Sequence, residues 1–188
     1  LRGALKNYLE SGKFTVANVT GTSNAGLILL GNIALDQNMN PINYNYFLEL
    51  PEFFQESALL DRFHGFIEGW KLPRINEDMK VKGYTLNVEY FSEVLHSLRD
   101  CPEFSTVVDE LIEIPRRADT RDVNAIKRLA SGYLKLLYPH VKSPGDIDKK
   151  EFEIFCLNPA IEKRRIIRKQ IHMVDLEFKE EMPDIRVR

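Results

Sequence analysis

Helical periodicity from about residue 84 onward is the feature that most constrains the fold of this chain. Three successive segments place apolar residues three or four positions apart, which puts them on one face of an α-helix. These residues are Val88, Phe91, Val94, Leu95 and Leu98, then Phe104, Val107, Val108, Leu111 and Ile112, then Val123, Ile126, Ala130, Tyr133 and Leu137. The third helix is predicted to begin near Asp119 and to stop before Pro139. A charged helical segment, with Pro159 as a break or as the start of a new helix, is predicted after a turn at residues 143–146.

The chain before this point predicts a small α/β part. Residues 1–11 are predicted to form a helix that Gly12 ends. The β-branched residues within 14–22 predict a hairpin that turns at Ala17 and Asn18.

Two further strands are predicted downstream of the hairpin. The continuous apolar run at residues 27–33 is typical of a strand buried on both faces of a parallel sheet. Residues 63–70 predict a second strand. The fold class is therefore α/β and mostly helical, with a division into residues 1–75, 76–145 and 146–188.

Composition excludes several classes of protein. The 188 residues are 44% hydrophobic and 29% charged, with a net charge of −2, so no overall field attracts the chain to nucleic acid or an anionic membrane. No apolar run approaches the roughly 20 residues of a membrane span, and no signal peptide is present, so we expect a cytoplasmic location. Cys101 and Cys156 have no metal-binding spacing, so we expect two buried thiols and no metal site.

The sequence lacks the motifs that would let it hydrolyse ATP by itself. It contains no G-x-x-x-x-G-K-[ST] loop to hold phosphates and no strand ending in paired acids to hold magnesium. It also contains no G-x-S-x-G or H-E-x-x-H motif. We therefore expect no bound cofactor, and weak or no ATP binding, for this chain alone.

Asn32 and Arg62 are two candidate site residues. Asn32 ends the predicted strand, where an amide could hold a water against a phosphate, or could merely satisfy loop backbone. Arg62 lies between a short helix and a strand and could reach a neighbouring subunit's phosphate, the role of an arginine finger. The alternative is an ion pair with Asp61 or Glu56.

Arg121 is a third candidate, because arginine is unusual in the first turn of a helix, where acidic residues suit the helix dipole. It could bind a phosphate, or it could lie on the surface or pair with Asp119 or Asp122.

Basic residues give a separate hypothesis of nucleic-acid binding. Lys163, Arg164 and Arg165 form a basic run in the last helix, and Lys13 lies beside the hairpin. Interleaved isoleucines favour a solvated helix face as the alternative for the basic run.

These candidates occur in an order that resembles AAA+ ATPases. Residues 27–33 resemble a sensor-1 strand ending at Asn32. The segment ALLDRF at residues 58–63 resembles the arginine-finger segment of the MCM helicase branch, and RDVNAIKRLA at residues 121–130 resembles its lid helix with Arg121 as sensor 2. This resemblance implies a partial AAA+ P-loop fold followed by an all-α lid.

A more extensive resemblance is to the BrxL family, the Lon-like AAA+ proteins of BREX phage-defence systems, which are often labelled ATP-dependent Lon-type proteases. It rests on residues 6–14, 59–64, 69–73, 131–139 and 162–165. The resemblance implies a ring-forming parent, a hexamer, that uses ATP and Mg²⁺ and acts on DNA or protein. It also implies Walker segments before residue 1 and a Lon-like domain after residue 188.

The chain departs from the family in two places, and two other functions stay open. The hairpin tip is Ala17-Asn18 where basic residues are expected, which leaves Lys13 as the DNA candidate there, and Glu68 replaces an expected proline. One alternative function is a non-catalytic module that binds DNA or protein. The other is a genuine Lon-type serine protease, which a downstream serine and lysine would identify.

Overall fold

The structure is a computed structural model that describes residues 2–188, and it is mostly helical with two small two-stranded sheets. Its α-helices are α1 (Arg2–Ser11), α2 (Ser57–Leu60), α3 (Val88–Ser97), α4 (Glu103–Leu111), α5 (Thr120–Leu137), α6 (Lys149–Phe152) and α7 (Asn158–Val174). Its strands are β1 (Lys13–Val16), β2 (Val19–Thr22), β3 (Ile112–Glu113) and β4 (Arg186–Val187). The predicted class, a mostly helical α/β chain, is confirmed.

The chain forms two compact units. The first contains the residues up to Phe66 together with Arg164–Met182, and the second contains Ile67–Lys163 with Pro183–Arg188. The predicted division at residues 75 and 145 remains a prediction. Among residues 2–188, no helix is both long and apolar enough to cross a bilayer.

The first unit begins with a helix and a hairpin, as the sequence predicted, although Leu1 lies outside the described residues. Gly12 ends α1 with a φ of 70°, and its N–H donates to the Tyr8 carbonyl at 2.8 Å. Strands β1 and β2 pair antiparallel, with Val16 opposite Val19. The two-residue turn between them is Ala17-Asn18, and Ala17 takes the left-handed conformation with a φ of 53°.

Neither of the two further strands predicted in this half of the chain exists in the structure. Residues 27–33 have no regular structure, and Ile28 and Leu30 are 84% and 93% exposed. No other strand among residues 2–188 lies alongside this run, so its backbone has no ladder partner. Residues 63–68 are likewise irregular, and a 3₁₀ turn at Gly69–Lys71 follows them.

The first unit has a small core in which phenylalanines pack with leucines and isoleucines. Phe47, Leu60, Ile167 and Ile171 are its buried members. Partly buried hydrophobic residues pack against them, namely Leu50, Phe63, Phe66 and Phe178. Phe47 lies in a 3₁₀ helix, Tyr46–Glu49, which a second 3₁₀ helix, Glu52–Phe54, follows before α2. The two isoleucines of this core come from α7.

The helices of the second unit follow the predicted periodicity. The side chain of Asn87 caps α3 by accepting from the Tyr90 N–H, and that of Asp119 caps α5 by accepting from the Arg121 and Asp122 N–H groups. Helix α5 runs from Thr120 to Leu137, so the predicted start near Asp119 and the stop before Pro139 are both confirmed.

The core of the second unit combines α4, α5 and the segment before α7. Its buried apolar residues are Phe104, Val107, Val108, Leu111, Ile112, Val123, Ala125, Ile126, Ala130, Leu134, Val141, Ile147, Phe152, Cys156, Leu157, Ala160 and Ile185. Strand β4 returns to pair with β3, with Val187 opposite Ile112. Of the two cysteines predicted to be buried, Cys156 is buried and Cys101 is half-buried.

A π-helical turn at Glu153–Leu157 joins α6 to α7. Pro159 is the second residue of α7, and a proline has no N–H and its ring clashes with the carbonyl four residues earlier. The wider turn, in which the Asn158 N–H donates to the Glu153 carbonyl, accommodates this loss. Pro159 therefore lies in the first turn of α7, which is the predicted helix start and not a break. Two 3₁₀ turns, Glu77–Met79 and Pro144–Asp146, complete the second unit.

Candidate functional site

Arg62 lies in a tight turn immediately after helix α2. The Arg62 N–H donates to the Leu59 carbonyl and the Phe63 N–H donates to the Leu60 carbonyl, both at 3.0 Å. Leu59 and Leu60 are fully buried, so the short helix is anchored in the first unit by its apolar side chains. The backbone of the turn is therefore anchored at its start, and the Arg62 side chain that follows is partly exposed.

The Arg62 guanidinium binds the side chain of Glu10 on α1. Its Nε and Nη2 atoms lie 3.0 Å and 2.6 Å from the same carboxylate oxygen, Glu10 Oε2, and its Nη1 donates to the Ala58 carbonyl. The ion pair that the sequence suggested as an alternative therefore exists, but with Glu10 as the partner instead of Asp61 or Glu56.

One face of α1 carries this contact and two others. Arg2, Lys6 and Glu10 are four residues apart, and so lie on the same side of the helix. The Arg2 guanidinium lies 5.4 Å from the centre of the Phe53 ring, and Lys6 forms an ion pair with Glu56. The hydrogen bond from Lys6 is the main cause that lowers the pKa of Glu56. This stripe was not predicted from the sequence, although its four-residue spacing is a local signal of a shared helix face.

Asp61 has a different environment from its neighbour Arg62. Its carboxylate is buried and accepts a hydrogen bond of 2.6 Å from Arg164 Nη2 on α7. Arg164 Nη1 also binds the main-chain carbonyls of Asp61 at 3.0 Å and Phe63 at 2.7 Å. Two consecutive acidic and basic residues therefore point to separate partners, one in the interior and one near the surface.

The position of Arg164 differs from the one predicted from the sequence. Its side chain is fully buried, so in this structure it is not part of a solvated helix face and is not accessible to a nucleic acid. A buried guanidinium requires a compensating anion, and the anion here is Asp61, 103 residues away in the chain. The other basic candidates are more accessible, since Lys163 and Arg165 are half-buried and Lys13 is exposed at the start of β1.

The Arg62 side chain combines a fixed base with a replaceable contact. It is 13% exposed, while its partner Glu10 is 53% exposed, and solvent weakens an ion pair at such a site. A guanidinium has five N–H donors in a planar fork that matches phosphate oxygens. The arrangement can therefore exchange a carboxylate for a phosphate without rebuilding the turn.

Asn32 is an exposed residue of the irregular segment that follows the hairpin. Residues 27–33 do not form a strand in this structure, so Asn32 does not lie at the edge of a sheet. Its role as a water-positioning amide stays a prediction.

Arg121 lies in the first turn of α5, in the second unit, and is half-buried. Its N–H donates to the Asp119 side chain at 2.8 Å, so the helix N-terminus is capped by an acid of the same chain. This cap offsets the unfavourable position of a cation at a helix N-terminus. Asn32 and Arg62 belong to the first unit and Arg121 to the second, and the role of Arg121 also stays a prediction.

The donor set fits the phosphates of a nucleotide better than its metal. Guanidinium groups at Arg62 and Arg121 match the charge and geometry of phosphate oxygens. Within residues 2–188, no group of three or more His, Cys, Asp or Glu side chains could hold a metal ion.

The sequence is similar to known proteins over nearly its whole length. Residues 1–184 match the family described as "Lon-like protease BrxL-like, ATPase domain". A Lon-like protease BrxL of Escherichia coli O9:H4 (strain HS) is 29% identical over 175 residues, which are 93% of this chain and 24% of the relative. A Lon-like protease BrxL of Bacillus cereus (strain H3081.97) is 27% identical over 175 residues, which are 93% of this chain and 25% of the relative. The chain thus spans about a quarter of each relative.

Proposed function

Because the chain belongs to the family of BrxL-like ATPase domains of Lon-like proteases, we propose that it supplies phosphate-sensing residues to an AAA+ ATPase. In this proposal Arg62 is the arginine finger and acts on ATP bound by a neighbouring subunit of a ring. Asn32 positions the attacking water, and Arg121 contacts the γ-phosphate from the helical part. ATP and Mg²⁺ are held mainly by residues outside this segment, and the whole protein is a hexamer that acts in phage defence.

The single observation that carries the proposal is the environment of Arg62. Its backbone is anchored by the buried leucines of α2 and by the interior contacts of Asp61, whereas its guanidinium ends on a half-exposed carboxylate. An arginine finger needs this combination, because its base must be rigid while its tip exchanges partners when a neighbour presents a phosphate.

Transition-state charge explains why this arginine would matter for rate. Charge spreads over the equatorial oxygens of the transferred phosphoryl group, and a correctly placed guanidinium stabilises it. The energetic effect is larger than that of the Glu10 pair because the site between two subunits excludes water. In the resting subunit, Glu10 would neutralise Arg62 and keep it near the position from which it reaches the neighbour.

The test is the substitution Arg62→Ala in the full-length protein that contains this segment. We expect kcat for ATP hydrolysis to fall by on the order of a thousandfold, as for other arginine fingers. The KM for ATP should change little, because the interaction forms mainly in the transition state. Lys6→Ala, which removes the neighbouring contact of α1 with Glu56, serves as the matched control and should leave kcat close to that of the wild type. Normal turnover by the Arg62→Ala protein would remove the assignment.

The DNA-binding alternative has less support than it had from the sequence. The basic run in α7 loses Arg164 to the interior, which leaves Lys163, Arg165 and the distant Lys13 as candidates. A salt-dependent shift of DNA by the full-length protein that Lys13→Ala weakens would favour this function.

A further inference from the structure

The Arg164 side chain binds the main chain on both sides of Arg62. Its Nη1 atom donates to the carbonyls of Asp61 and Phe63, which are the residues on either side of Arg62 in the chain. Its Nη2 atom donates to the Asp61 carboxylate. One buried side chain of α7 thus fixes the two main-chain carbonyls that flank the candidate finger.

The same turn has its N–H groups fixed from the other direction. The Arg62 and Phe63 N–H groups donate to carbonyls of α2, so the Asp61–Arg62 peptide is bonded at both its carbonyl and its N–H, and the Arg62–Phe63 peptide is bonded at its N–H. Because the planes of successive peptide groups determine where a Cα atom projects its side chain, these contacts set the direction in which Arg62 leaves the turn. Arg164 contributes to this arrangement from α7, about a hundred residues further along the chain, by binding both carbonyls.

A buried ion pair of this kind adds little net free energy of stabilisation to a loop. Desolvation of two charges can offset their attraction, and apolar residues of similar volume often serve stability as well or better. What a forked guanidinium adds is geometry, since it fixes three oxygen atoms relative to one another. The Asp61–Arg164 pair is therefore suited to fixing the position of the turn that carries Arg62.

We propose that Arg164, acting through Asp61 and the carbonyls that flank Arg62, is a positioning residue for the arginine finger. This inference rests on the proposed function of Arg62. Arg164 does not touch the nucleotide. It holds the Arg62 turn so that the guanidinium meets the phosphoryl group when a neighbouring subunit presents it, and displacements of about 1 Å can reduce rates by about a hundredfold.

Gln170 provides a matched comparison on the same helix. It is buried, and its amide group binds main chain at two points, accepting from the Tyr46 N–H at 2.7 Å and donating to the Tyr44 carbonyl at 2.8 Å. It is thus a buried clamp between α7 and a loop, as Arg164 is, but it holds residues well before Arg62 in the chain. A purely structural role predicts the same consequences for loss of either clamp.

The experiment measures kcat and KM for ATP in the full-length protein, on variants whose fold and assembly are checked by circular dichroism and size-exclusion chromatography. Arg164→Lys keeps the charge opposite Asp61 but cannot bind all three oxygens, so we expect kcat to fall about 10- to 100-fold with KM unchanged. Gln170→Ala should leave kcat within about twofold of the wild type. If Arg164→Lys does not assemble, Asp61→Asn, which keeps an acceptor oxygen, takes its place.

A double variant separates positioning from a general structural effect. If Arg164 acts through Arg62, Arg164→Lys should lower kcat in the wild type and have no further effect in the Arg62→Ala background. Additive losses, or a normal kcat for Arg164→Lys beside a strongly reduced Arg62→Ala, would overturn the positioning role and leave the finger intact. A normal kcat for Arg62→Ala would overturn the proposed function, and any loss in Arg164→Lys would then have another cause, which overturns this inference as well.

Discussion

Truncation of Asp61 tests the buried ion pair that underlies the candidate site. Asp61 is 2% exposed and Arg164 is 0% exposed, so Asp61→Ala leaves a guanidinium in the interior without its counter-charge. Removal of one partner of a buried pair generally costs about 3–5 kcal/mol. Arg164 keeps its two bonds to backbone carbonyls, so we expect the lower end of this range, about 3 kcal/mol.

Hydrogen–deuterium exchange with mass spectrometry measures this loss locally. We compare the amides of residues 44–66 and of the α7 residues 164–174 in the variant and the wild type. A loss of about 3 kcal/mol corresponds to exchange that is faster by roughly a hundredfold at amides that are protected by the first unit. The loss is smaller than the usual stability of a domain, about 5–15 kcal/mol, so the variant should remain folded.

A second ion pair that involves α7, but is exposed to solvent, serves as a control that distinguishes burial from charge. Lys169 and Glu180 form a half-exposed pair at 3.9 Å, and Glu180→Ala should change the opening free energy by no more than about 1 kcal/mol. Amide exchange in Asp61→Ala as slow as in the wild type, or an effect equal to that of Glu180→Ala, would refute a stabilising role of the buried Asp61–Arg164 pair.

Three further predictions concern separate features. Glu10→Gln weakens the contact that Arg62 must leave, so ATP turnover by the full-length protein should rise by at most about fivefold, and a loss as large as that of Arg62→Ala would contradict the exchange of partners. Ala17→Gly relieves the left-handed conformation at the hairpin turn and should slow amide exchange in residues 13–22 by roughly fivefold, whereas faster exchange would contradict it. Burial raises the pKa of the Cys156 thiol to about 11, so at pH 8 the group stays protonated, and iodoacetamide should modify Cys101 but not Cys156 until the protein is denatured, as peptide mass spectrometry would show.

Local sequence signals predicted the helices and the hairpin well. Helix α5 has a capping aspartate before its first turn and a proline after its end, and both signals act within a few residues. The hairpin follows from β-branched residues on either side of a two-residue turn. Such features depend on short-range geometry, which the order of residues records directly.

The prediction of strands at residues 27–33 and 63–70 was wrong because a strand needs a neighbouring strand to pair with, and its own sequence does not specify that neighbour. An apolar run such as residues 27–33 indicates a segment that favours burial, but pairing requires another strand beside it. Among the described residues the sheets consist of short pairs elsewhere, so this run stays irregular and exposed.

The contacts around the candidate residues were predicted only in part, and the roles of these residues stay predictions. The order of the segments pointed to Arg62, but its partner Glu10 lies 52 residues away and was missed. Arg164 was assigned to the surface because a basic residue among isoleucines usually lies there, and its burial depends on bonds to the distant Asp61 and Phe63. Long-range charge pairing of this kind has no local signature, whereas the spacing of Arg2, Lys6 and Glu10 on α1 did carry one.

The most direct test of the central claim, that Arg62 acts on a neighbouring subunit's ATP, is a subunit-mixing measurement. Full-length Arg62→Ala protein keeps its own nucleotide site, and a second variant, disabled in its phosphate-binding loop, keeps Arg62. Each should be nearly inactive alone. Because an active site would then form where an intact nucleotide site faces an intact Arg62, we predict that mixed assemblies regain ATP hydrolysis. Full activity of Arg62→Ala alone, or no recovery in verified mixed assemblies, would contradict the account.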